Sequence, residues 1–256
     1  MSNFDRNAPV WGAGRAQQTS AVEMDQGLRS FMLGVYNNMS IGLAITGLAA
    51  IGISMLAIAG VSPTGKVTAL TGLGQALYLS PLKWVVMLAP LAFVFFFTFR
   101  IQTMSTATAQ ITFWAFCAVM GLSLASVFLV FTGASIARTF FIAATMFGAT
   151  SLYGYVTKRD LAQFGSFLMM GLIGVMIASV VNIFLGSSML QFAVSVIGIV
   201  VFVGLTAWDT QNIKQQYSEN VDQESQQKMA VFGALSLFLN FVNIFQLLLN
   251  FTGERE

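Results

Sequence analysis

Seven apolar runs decide what this chain can become. They lie at about 31–60, 82–100, 109–132, 139–157, 161–185, 190–211 and 229–251, with the charges gathered between them or at their ends. Crossing about 30 Å of hydrocarbon at about 1.5 Å per residue takes about 20 residues, within a working range of roughly 17–25. All seven runs meet that length if the first is long and tilted and the fourth is short. Lipid offers the backbone no hydrogen bonds, so the spans must be helices, and no alternating ten-residue pattern supports a barrel. Composition agrees: 56% of the residues are apolar and 9% charged, with a mean hydropathy of +0.76. A soluble domain usually carries about 25% charged residues. Twenty-two charges cannot cover a 27.7 kDa globule that must also hide 24 Phe. The chain reads as an all-α integral membrane protein, a seven-transmembrane-helix bundle over 29–256 with the lipid bilayer as its solvent.

Residues 1–28 are polar and carry Pro9, Gly12 and Gly14, with no apolar core of a signal peptide. They read as an uncleaved, disordered, cytosolic tail. An odd number of spans puts the termini on opposite sides. With the N-terminus inside, the cytosolic tail and loops hold Arg6, Arg15, Arg29, Arg100, Lys158, Arg159, Lys214 and Lys228. The other side holds Lys66, Lys83, Arg138 and Arg255, so eight against four favours a cytosolic N-terminus. Between the first two runs, apolar residues at 67, 70, 73 and 77 suit a short helix on the membrane face, and a plain loop suits them equally. Pro90 sits inside the second run and predicts a kink.

The residue inventory removes several chemistries. A net charge of +2 gives no nucleic-acid footprint. There is no His, and Cys117 is the only cysteine, which rules out an internal disulfide, a Cys/His metal site and any Ser-His or Cys-His nucleophile. The last run has no Lys for a retinal Schiff base, and intramembrane aspartyl proteolysis needs two carboxylates where the spans offer one, Asp209. The expectation is a non-enzymatic chain without a soluble cofactor.

Asp209 is therefore the residue to explain. Two readings suit it: a carboxylate near the helix end that reaches headgroup water, or a buried titratable group facing the bundle interior. In the last run Ser236, Asn240, Asn243, Gln246 and Asn250 fall within one arc of about 120°, which cannot face lipid. In the sixth, Ser195, Gly198, Thr206 and Asp209 share a face. These two faces are expected to pack together, the amides serving as interhelical hydrogen-bond glue or lining a water path. Arg100, ending FVFFFTFR, reads either as a positive-inside anchor or as a partner for Asp209. Gly121 with Ala125, and Ala144 with Gly148, have the small-xxx-small spacing of helix contacts.

Three segments, GYVTKRDL (154–161), AWDTQNIKQQY (207–217) and ALSLFLNFVNIFQLLL (234–249), resemble the Bax inhibitor family in its bacterial YccA-like branch. The resemblance covers the chain from about residue 28 and implies seven spans wrapped around a central last helix. It implies a pH-modulated calcium leak channel, with Ca²⁺ as the transported ion, in the bacterial cytoplasmic membrane. It also implies a rival role, a non-transporting regulator that binds a membrane protease or quality-control complex through the tail or the 209–228 loop. Residue by residue, the family's sixth-span aspartate matches Asp209, and the arginine that latches it in the closed pore matches Arg100. The family's second aspartate falls at LFLNF and is Asn240 here. Two carboxylates sharing a proton form a coupled pH sensor, whereas an amide does not titrate.

Overall fold

The computed structural model describes the backbone of residues 11–61, 67–218 and 221–254, with side chains from residue 26 onward apart from Gln102. Among the described residues, seven helices are long and apolar enough to cross a membrane: Gln26–Ala57, Leu82–Arg100, Thr106–Leu129, Gly133–Val156, Ala162–Leu185, Ser188–Gln216 and Gln223–Thr252. We label the elements α1 (Trp11–Ala57), β1 (Ile58–Val61), β2 (Val67–Leu70), α2 (Gly72–Tyr78), α3 (Leu82–Arg100), α4 (Thr106–Leu124), α5 (Gly133–Val156), α6 (Ala162–Leu185), α7 (Ser188–Gln216) and α8 (Gln223–Thr252). A 3₁₀ turn, Ala125–Leu129, extends α4. The protein is an all-α integral membrane protein, with one antiparallel strand pair among the described residues.

α1 begins at Trp11, so residues 11–28 are helical where the sequence predicts a disordered tail. The stretch after Pro9 holds Ala16, Gln17, Gln18, Ala21, Glu23 and Met24. These are good helix formers, and they propagate backwards from a span that has already met the cost of nucleation. Residues 1–10 lie outside the described residues. The segment predicted as a helix or a loop is a strand followed by a short helix. β2 pairs antiparallel with β1, Ile58 opposite Leu70 and Val61 opposite Val67. Thr71 then starts α2: its Oγ1 accepts from Gly74 N at 3.2 Å and donates to Leu56 O at 2.7 Å, which ties the helix to the end of α1. Pro90 lies inside α3 without ending it.

The last helix is the hub. Two thirds of the apolar window of α8 is buried, against at most 39% in any other span and 6% in α6. It packs on α1, α4, α5 and α7. Aromatic contacts explain much of this: Phe238 meets Phe113 and Phe116 edge-on at 6.0 and 5.6 Å, and Phe241 meets Phe140 and Phe147 at 5.5 and 5.8 Å. Other large apolar side chains, such as Phe99, Phe184 and Met189, point outward to meet lipid. Asp222 caps α8 by accepting from Ser225 N at 2.9 Å, and that backbone N–H holds its carboxyl below the usual range.

Small residues set the close approaches. At Gly121 a Cβ would meet Thr46 O and the Ala49 Cβ, so α1 and α4 touch backbone to backbone there, as the small-residue spacing predicts. Gly148 behaves differently. A Cβ there would meet nothing within 4 Å, so it opens a gap instead of making a helix contact.

Candidate functional site

α7 and α8 run antiparallel with their small and polar residues matched in register. Gly198 on α7 receives Leu247 of α8, and Gly233 on α8 receives Ile213 of α7. Between these two contacts, Asn240 Nδ2 donates to Asp209 Oδ2 at 2.6 Å. A carboxylate only accepts, so the amide turns its NH₂ toward it. Asn240 is buried at 5% exposure, whereas Asp209 is half-buried. Asp209 lies seven residues before the end of α7, about 10 Å along the axis. Thr206 and Thr210, both fully buried on the same helix, turn their hydroxyls back to Phe202 O and Thr206 O at 2.8 and 2.7 Å. Neither hydroxyl turns to the carboxylate, which is left to Asn240.

The rest of the polar stripe on α8 is less enclosed. Ser236, Asn243 and Gln246 are half-buried and Asn250 is exposed. Asn243 Nδ2 donates within its own helix, to Leu239 O at 2.8 Å. Among the described residues, Asn240 is the one member of the stripe with a side-chain bond to another helix.

Arg100 does not join this contact. It is exposed at the end of α3, and among the described residues no ion pair links it to Asp209. The cause is packing: α3 docks on α4 and α2. A cavity of about 480 Å³, lined by Thr98, Ile101, Gln216 and Lys228, separates its end from the α7–α8 connection. Asp209 Oδ2 is held by the Asn240 amide.

A second constellation escaped the residue-by-residue reading. The α5–α6 loop is clamped onto α7 by Gln211, whose Oε1 accepts from Leu161 N and whose Nε2 donates to Arg159 O, both at 2.8 Å. Lys214 Nζ donates to Tyr155 O at 2.8 Å and sits 4.8 Å from the centre of that tyrosine ring. Deeper in the bundle, Tyr36 of α1, Ser151 of α5 and Thr210 of α7 form a hydroxyl chain with links of 2.7 and 2.9 Å. α5 and α7 approach closely at Gly154, where a Cβ would run into the Ala207 carbonyl of α7. On the other side of α7, Trp208 fills the space over Gly165. The signal was present in the sequence: Ala207, Thr210 or Gln211, and Lys214 recur at helical spacing and form one face. Gln211→Ala removes both loop contacts and leaves two backbone groups without partners. It is expected to cost about 1–3 kcal/mol and to speed amide exchange at Arg159–Leu161, measured by hydrogen–deuterium exchange.

The contacts just described join GYVTKRDL to AWDTQNIKQQY, and AWDTQNIKQQY to the last helix. Comparison with known proteins finds similar sequences. The family described as "Inhibitor of apoptosis-promoting Bax1" matches residues 28–256. A Rickettsia prowazekii protein, RP147, is 47% identical over 232 residues, covering 91% of this chain and 92% of its own. A Caulobacter vibrioides protein is 43% identical over 256 residues, covering 99% and 98%. Inner membrane protein YbhL of Escherichia coli K12 is 41% identical over 240 residues, covering 93% and 97%. The chain belongs to the Bax inhibitor family of integral membrane proteins.

Proposed function

We propose that the chain is a non-enzymatic leak pathway for cations such as Ca²⁺, running beside α8 and closed where Asn240 meets Asp209. The supporting observation is the placement of the spans' one interior carboxylate against the central helix, where a single amide hydrogen bond holds it. An ionisable group inside a membrane bundle is costly to insert and usually marks an ion path or proton relay. Breaking the Asn240 contact frees the carboxylate to take a cation or a proton. In this reading the N-terminus is cytosolic and the membrane is the bacterial cytoplasmic one, in keeping with YbhL being an inner membrane protein. Arg100 then serves as an anchor at the cytosolic face, and the closing contact is an amide instead of a guanidinium. The test is Ca²⁺-dye or ⁴⁵Ca flux in liposomes holding the purified protein. Flux above that of empty liposomes is expected; equal flux would leave only a partner-binding role for the bundle.

A further inference from the structure

We propose that the gap between α1 and α5 is a binding crevice for one anionic phospholipid, its phosphate on Arg29 and an acyl chain along Leu33, Gly148 and Leu152. The two helices pack on α8 and on other neighbours, leaving between them a crevice of about 420 Å³. Its walls are apolar and open outward: Leu33 and Leu152 are 59% and 61% exposed, toward what in a membrane is lipid. Its floor is polar, because the Tyr36–Ser151 hydroxyl link crosses the gap there. Arg29 stands at the mouth, exposed, and forms no ion pair among the described residues. Tyr155 lines the same end and carries the Lys214 ammonium against its ring.

This arrangement suits a phospholipid: a cation at the mouth for its phosphate, apolar walls for its hydrocarbon, and the Tyr36–Ser151 hydroxyls at the floor. Leu33 stands one helical turn from Arg29 and Tyr36 two turns, about 6 and 10 Å along the axis, so the cation is at the mouth and the apolar wall follows it inward. A zwitterionic lipid would bring its own ammonium to Arg29, so the preference is for net negative charge. Gly148 explains why α5 has no side chain at this level: the space its Cβ would enter is empty of protein and is left for the chain.

The test uses the full-length protein in mild detergent, offered equimolar phosphatidylglycerol and phosphatidylcholine and read by native mass spectrometry. Wild type is expected to retain phosphatidylglycerol over phosphatidylcholine by about fivefold, the equivalent of about 1 kcal/mol per basic residue at an anionic surface. Arg29→Gln should erase the preference, Gly148→Leu should lower retention of both lipids, and Lys83→Gln, at the opposite end of the bundle, should change nothing. Equal retention of the two lipids by wild type, meaning annular lipid only, overturns the proposal. So does an Arg29→Gln protein that keeps the wild-type preference. Arg29 is exposed, so that variant decides the matter by itself if Gly148→Leu does not fold.

Discussion

Asn240→Asp is expected to turn a pathway with one titrating group into one with two coupled groups. The amide lies 2.6 Å from Asp209 Oδ2, so the new carboxyl faces the old one across the α7–α8 interface. Two like charges this close in a poorly hydrated interface cannot both form easily, so the two ionisation steps become coupled and separate. The pair shares one proton between those steps. Flux through the Asn240→Asp protein should therefore change in two stages with pH, where wild type shows no more than one. Adding Asp209→Asn should return it to a single stage. A well-expressed Asn240→Asp protein whose pH profile is unaffected by removing Asp209 would show that the two positions do not act together.

Gly154→Ala should have the largest effect on stability of any single methyl in the bundle's α5. In a helix, Gly to Ala normally gains about 1 kcal/mol from backbone entropy. At Gly154 the methyl meets the Ala207 carbonyl, a backbone group on a packed helix that cannot swing away as a side chain would. α5 must move outward, and the Ser151–Thr210 and Lys214–Tyr155 contacts are lost with it. The expected result is a net loss of about 1–3 kcal/mol, seen as a lower melting temperature in detergent. Gly148→Ala, six residues earlier on the same helix, meets no protein atom and should leave the melting temperature unchanged or raise it.

That pair of glycines marks where the sequence stops being legible. Spacing alone suggests a helix contact for Gly148, four residues after Ala144, and suggests none for Gly154 between Tyr153 and Tyr155. Only the three-dimensional neighbour separates a close approach from a lipid-facing gap. The seven spans were readable because hydrocarbon permits one backbone solution and runs of about 20 apolar residues have no other use. The Asp209–Asn240 contact was readable because polar residues on one arc of a span must find one another. The β1–β2 hairpin was not, since a four-residue strand is defined by its partner and not by its own period. The two readings of Arg100 could not be separated in the sequence for a related reason. Its depth along the membrane follows from the sequence, but the direction in which α3 carries it depends on α3 docking against α4.

The central claim is that cations pass beside α8 under the control of Asp209. It is tested most directly by Ca²⁺ flux against pH in liposomes holding wild type or Asp209→Asn. If the carboxylate is the cation's binding group, the variant loses its pH dependence and conducts at least about tenfold less Ca²⁺, since no other acid lies within the spans away from their ends. An Asp209→Asn protein that carries Ca²⁺ at the wild-type rate with the wild-type pH profile would contradict the account.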